Sequence, residues 1–190
     1  MHVPARDRRE PGNLVAVPDD GQADSEPTEE EKQYVEGFVR RFRRAQSLLG
    51  GGKDAEAETL LRELLEEEPE AAAVHHALGT LLRFRGRARE AGESLVRAAE
   101  LAPEDGVIRR DTGMHLLEHG DAAAAEPHLR VSRELLEGDI EALTSHGAAL
   151  RLLGRQGAAV ATYREAMRLL PESVDARVGL AACLVRSDPA

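Results

Sequence analysis

Residues 72–105 read AAVHHALGTLLRFRGRAREAGESLVRAAELAPED, and the order of their landmarks decides the fold. Leu78-Gly79 and Leu82 lie in a first amphipathic run, Gly86 interrupts it, Ala91 and Leu95 belong to a second run, and Pro103 follows. A glycine that ends one helix and a proline that cannot continue the next give a helix, a turn, a helix and a stop. To either side the same landmarks return every 34 residues. Leu48, Leu82, Leu116, Leu150 and Leu184 form one column, and Gly52, Gly86, Gly120 and Gly154 follow the first four of them by four positions. Ala45, Gly79, Gly113, Gly147 and Ala181 are small throughout, as are Ala57, Ala91, Ala125 and Ala159, and small columns let helices approach closely. Leu61, Leu95, Leu129 and Tyr163 place a large apolar knob one turn after each of those alanines. Pro69, Pro103 and Pro171 stand where second helices stop, and only Glu137 breaks that column.

Paired helices at a 34-residue period resemble the tetratricopeptide repeat. The family's Leu-Gly pair stands as Leu78-Gly79, its second-helix Ala as Ala91, its large apolar residue as Leu95 and its proline as Pro103. The resemblance covers about four fifths of the chain, with repeats at 38–71, 72–105, 106–139 and 140–173 and a closing helix at 174–186. It implies an all-α, right-handed α-solenoid of antiparallel helix pairs over residues 28–190. The family's Trp is replaced by Arg41, His75, Arg109 and Leu143, and Pro127 falls inside a second helix, where it predicts a lost backbone hydrogen bond and a local kink. Ahead of the repeats, residues 1–27 carry Pro4, Pro11, Pro18 and Pro27 among many charges and read as a disordered tail. Thr28-Glu29-Glu30-Glu31 then has the form of a capping box. The helix it opens carries Tyr34, Phe38 and Phe42 on one face and ends at Gly50-Gly51-Gly52.

The 190 residues correspond to one domain or a short repeat stack, which leaves no room for a large multidomain enzyme. Aromatics make up 3% and Trp is absent, so the core has to be built from Ala, Leu and Val, a composition suited to helices. The net charge of -10 disfavours non-specific attraction to nucleic-acid phosphates or an anionic membrane surface. Cys183 is the lone cysteine, so neither a disulfide framework nor a zinc ribbon is available, and a reducing compartment fits. Neither a signal-peptide core in Met1–Glu10 nor 18 consecutive apolar residues are found, and the reading is a cytoplasmic protein without membrane insertion. Cations are nearly all Arg, with Lys only at 32 and 53, and Ala and Gly are plentiful, which points to a GC-rich bacterial genome.

The resemblance implies a non-catalytic protein-interaction scaffold without a cofactor, its first helices lining a concave groove that takes a peptide or helix. Helical spacing picks the groove residues, because the face opposite the Leu column cannot also pack on the paired helix. These are Phe42 and Gln46, then His76, Thr80 and Arg83, then Arg110, Met114 and Leu117, then Thr144, Ala148 and Arg151. Arg83, Arg110 and Arg151 suggest an acidic peptide, with an apolar anchor at Met114 and Leu117. The plainer alternative is that these arginines only solubilise an open surface. A family variant clamps a chaperone's terminal carboxylate with Lys and Asn; the matching places hold Phe42, Gln46, Ala77 and Arg110, so that clamp is not expected. A secretion-type chaperone is an alternative within the same architecture. Asp19, Asp20, Asp24 and Glu26 of the tail are within chain reach of the groove arginines as an internal competitor. Tyr34 and Phe38, read as exposed, offer a cap or a self-association contact.

Two other patterns suggest different chemistry. His115-Leu116-Leu117-Glu118-His119 matches the H-x-x-E-H zinc-peptidase pattern, in which His residues at i and i+4 share the ion and the Glu activates water. A third ligand has to come from His128, Glu126 or His146, and the repeat columns already account for Leu116 and Gly120, so His115 and His119 remain bare candidates and no metal is expected. Arg40-Arg41-Phe42-Arg43-Arg44 lacks further aromatic platforms and reads as a solvated helix face rather than a nucleic-acid site. Gly50-Gly51-Gly52-Lys53 lacks the preceding strand and the Ser or Thr of a phosphate loop, and the neighbours His75 and His76 diverge on a helix.

Overall fold

The computed structural model describes residues 27–185, which hold nine α-helices and no strand. Residues 1–26 and 186–190 lie outside the described residues, and with them the expected tail, its competitor role and the last position of the closing helix. The helices are α1 Glu29–Gly50, α2 Asp54–Glu67, α3 Ala72–Phe84, α4 Ala88–Leu101, α5 Gly106–Glu118, α6 Ala122–Leu135, α7 Ile140–Leu152, α8 Gln156–Leu169 and α9 Val174–Val185. From α4 onward, each helix begins 34 residues after the helix two places before it. The fold is an all-α helical repeat of the solenoid class. The chain divides into two compact units between Leu78 and Gly79, inside α3.

The Leu and Gly columns share one local cause. Gly52, Gly86, Gly120 and Gly154 have φ of 70°, 72°, 82° and 72°, the left-handed region that a side chain disfavours. The amide after each glycine reaches back to the Leu carbonyl: Lys53 to Leu48, Arg87 to Leu82, Asp121 to Leu116 and Arg155 to Leu150, each at 2.9 Å. Such a closure satisfies a carbonyl that the ending helix would leave bare. Second helices stop at Pro69, Pro103 and Pro171; where Glu137 breaks the column, Gly138 makes the turn instead with φ 79°. At the start of α1 the capping box forms, Glu31 N donating to Thr28 Oγ1 at 3.2 Å and Thr28 N to Glu31 Oε2 at 2.6 Å. Two of the places of the family's Trp, His75 and Arg109, and Arg177 one period beyond Leu143, each donate to the carbonyl of the proline six residues earlier.

Pro127 does not interrupt α6, which runs from Ala122 to Leu135. The residue sits early in the helix on its exposed side, so the missing amide is lost where water reaches the backbone.

In the first unit α1 packs on α2, burying Phe38, Phe42 and Ala45 of one and Ala57, Leu61 and Leu64 of the other. Two sequence readings are corrected here. Phe42 is 6% exposed and belongs to this core, not to an open groove, because the stripe it shares with Phe38 faces the paired helix. Phe38 is fully buried and is no self-association contact; Tyr34 is exposed, and its hydroxyl donates to Glu68 at 2.9 Å. Arg41 makes a two-pronged contact with Glu67, while Arg40, Arg43 and Arg44 are exposed.

In the second unit the knobs rest on the small column. Leu95 covers Gly79, Leu129 covers Gly113, and Tyr163 covers both Gly147 and Gly179; a Cβ built on any of these glycines would stand within 3 Å of the knob. Buried hydroxyls tie neighbouring helices: Thr112 Oγ1 lies 3.0 Å from the Leu95 carbonyl and 2.7 Å from that of Ile108, and Ser132 donates to Gly106 O at 2.9 Å. No helix among the described residues is long and apolar enough to cross a membrane.

Candidate functional site

Three helices of the second unit, α5, α7 and α9, present the same positions one repeat apart. Met114, Ala148 and Ala182 are spaced by 34, as are Thr144 and Val178, Ser145 and Gly179, and Leu117 and Arg151. Helical turns put these positions on one stripe per helix. Together with Glu118 on α5, Asp175 on α9 and Tyr163 from α8, they line a groove of about 360 Å³. Its walls are mainly apolar methyl and methylene groups, and Arg151 is the one cation among its lining residues.

Of the residues singled out by spacing, Met114, Leu117, Thr144, Ala148 and Arg151 come together in this groove. Phe42, Gln46 and His76 belong to the first unit, where Gln46 is exposed and His76 half-buried. Thr80, Arg83 and Arg110 belong to the second unit but do not line the groove. Extending the columns by one more period would have found Val178 and Ala182; the carboxylates Glu118 and Asp175 carry no such signal.

The three arginines differ in their surroundings. Arg83 is held by Glu118 at 2.9 Å and lies 5.4 Å from the Phe84 ring centre. Arg110 is surrounded by Asp139 at 2.9 Å, Asp111 at 3.2 Å and Glu141 at 3.4 Å. Burial works against its charge and the three carboxylates outweigh it, so its pKa is raised. Arg151 lies beside the Tyr163 hydroxyl, and its Nε is buried without a partner. Only this third guanidinium stands in the groove without a carboxylate of its own among the described ion pairs.

The histidines of the zinc-peptidase pattern are brought together, but not with the expected third ligand. His128 contacts Arg109 at 3.2 Å, and His146 lies 3.8 Å from Glu126, which is paired with Arg155. Glu118 itself completes the cluster with His115 and His119. A peptidase needs a third ligand and, besides it, a carboxylate base; here Glu118 cannot serve as both.

Burial lowers the pKa of His115, His128 and His146, assisted by His119, Arg109 and Arg133 respectively. Each imidazole therefore binds a proton less readily folded than unfolded, where the value is 6.5. Below about pH 6.5 the unfolded chain gains protons first, so stability falls as pH drops. The expected result is a melting temperature flat from pH 8.5 to 7 and declining between pH 6.5 and 5, read by circular dichroism. A flat profile down to pH 5 would contradict neutral buried imidazoles.

No protein-family model matches the chain, and no curated protein sequence does. Solved structures do match. A structure described as YrrB, a TPR protein with an unusual peptide-binding site, is 21% identical with a TM-score of 0.75 over 79% of this chain and 77% of its own. MamA from Desulfovibrio magneticus RS-1 is 22% identical with a TM-score of 0.72, covering 80% of this chain and 86% of its own. The first TPR of Spaghetti (RPAP3), bound to the HSP90 peptide SRMEEVD, is 20% identical with a TM-score of 0.57 over 61% of this chain and 92% of its own. At these identities the likeness is one of fold.

Proposed function

From the tetratricopeptide-repeat fold that this chain shares with those structures, we propose that it is a non-catalytic interaction scaffold whose second unit holds a segment of a partner protein in the groove of α5, α7 and α9. The observation that carries this reading is an apolar trough with one guanidinium, Arg151, at its wall that no carboxylate pairs among the described ion pairs. A segment suited to it sets an apolar side chain against Met114, Leu117 and Val178 and one carboxylate on Arg151. The three-arginine clamp narrows to one arginine, because Arg83 and Arg110 already hold protein carboxylates. Support for a peptide as the class of ligand comes from YrrB, described with a peptide-binding site, and from the RPAP3 repeat with its bound peptide. A chaperone-tail clamp is not proposed: Arg110, the cation at those places, is engaged by Asp139 and Asp111.

Peptides selected from a random display library on the full chain test the site when followed by methionine-methyl spectroscopy. Met114 lines the groove, whereas Met167 packs against the cluster of Leu143, Ala166 and Ala176. Saturating peptide is expected to move the Met114 methyl signal and leave that of Met167 in place. A peptide that binds tightly without moving Met114 would place the interaction elsewhere.

A further inference from the structure

We propose that His115, Glu118 and His119, on the last turn of α5, form a binding site for a divalent transition-metal ion of the zinc class. Their ligand atoms all lie within 4.8 Å of one another. Each imidazole offers a ring nitrogen that no protein group occupies. His115 is 4% exposed and turns its Nε2 towards α4, where a Cβ on the glycine at 92 would stand 3.1 Å from it. Its Nδ1, on the other side of the ring, is buried without a hydrogen-bond partner. A buried ring nitrogen left unmatched destabilises the fold, a cost that a metal bond removes. His119 lies across it, the ring centres 4.3 Å apart, and donates from Nδ1 to the His115 carbonyl at 2.8 Å, which leaves Nε2 free to bind. For His119 a backbone carbonyl thus supplies the outer contact that orients a ligating imidazole.

Glu118 adds the negative charge. Arg83 holds its Oε1 at 2.9 Å, so Oε2 is the oxygen offered to the ion. With metal bonds of about 2.0–2.2 Å, two nitrogens and one oxygen leave a fourth tetrahedral position for water. The exposed side chains of Glu118 and His119 supply the movement that draws the ligands together around the buried Nδ1. His119 is also the C-cap residue of α5, and the negative end of the helix dipole favours a cation there. The proposal is binding, not hydrolysis, since Glu118, the one carboxylate of the cluster among the described residues, is spent as a ligand. The site shares Glu118 with the groove lining but does not rest on a peptide binding there.

The test is a Zn²⁺ titration of the untagged full chain against a chromogenic chelator, repeated with Co²⁺ to record the visible spectrum of a low-coordinate site. One equivalent is expected to bind, with affinity falling at least tenfold in His119→Ala and several-fold in Glu118→Gln, while His75→Ala is unchanged. Because His119 and Glu118 are exposed, circular dichroism should show the variants folded, and Zn²⁺ should raise the melting temperature of the native chain but not of His119→Ala. No binding at one equivalent, or equal affinity in His119→Ala, would overturn the assignment.

Discussion

Gly113→Val is expected to lower stability by about 2–4 kcal/mol, the largest effect of any substitution considered for this chain. Gly113 lies in the middle of α5 beneath Leu129, and a Cβ there would stand 2.5 Å from Leu129 Cγ, 2.8 Å from its Cδ2 and 3.2 Å from the Ala125 carbonyl oxygen. Leu129 is fully buried and can move only against packed neighbours, and the carbonyl belongs to the backbone of α6, so the two helices have to separate. Valine is a better helix former than glycine by only a few tenths of a kcal/mol, too little to compensate. The counter-experiment is Gly37→Ala in α1, where a Cβ meets nothing within 4 Å and a gain of up to about 1 kcal/mol is expected. Urea unfolding followed by circular dichroism reads both. A Gly113→Val chain as stable as the native one would mean that the small column does not set the helix spacing.

Arg110→Glu should cost about 2–3 kcal/mol, somewhat less than the removal of one partner from a fully buried ion pair. The guanidinium is 17% exposed and is the common partner of Asp111, Asp139 and Glu141. Reversal leaves four carboxylates together, one of them the Asp139 side chain that caps α7 by accepting from Ala142 N at 2.8 Å. Since the loss is electrostatic, it is expected to shrink in high salt, and Arg110→Lys should recover part of it. Unaltered urea unfolding in Arg110→Glu would instead mark this arginine as a surface cation available to a ligand.

The repeat frame could be read before any coordinates, because each landmark answers a local demand: a left-handed turn at the glycines, a stop at the prolines, a close approach at Gly79 and Gly113. The state of the arginines could not, because it depends on partners about one repeat away. Arg83 finds Glu118 35 residues on, Arg110 finds Asp139 29 residues on, and Arg133 finds Glu165 32 residues on. Such pairs exist only once the helices have stacked. Phe42 was misplaced for a related reason: α1 meets α2 through its aromatic stripe, so a position that lines a groove in later repeats is core here. The cluster of Glu118 with the two histidines was half readable. The i, i+4 spacing was plain, but the lack of a partner for His115 Nδ1 is a property of the packed state.

The central claim is that the α5/α7/α9 groove recognises a segment through Arg151. The direct measurement is the calorimetric affinity of one display-selected peptide for the native chain, for Arg151→Glu and for Arg168→Glu, an exposed reversal on α8 that carries the same change in net charge. A charge-assisted hydrogen bond is worth about 1.5–3 kcal/mol, so Arg151→Glu is predicted to weaken binding by roughly tenfold to more than a hundredfold, with Arg168→Glu near native. Equal weakening by the two reversals, or none by either, would contradict recognition through Arg151.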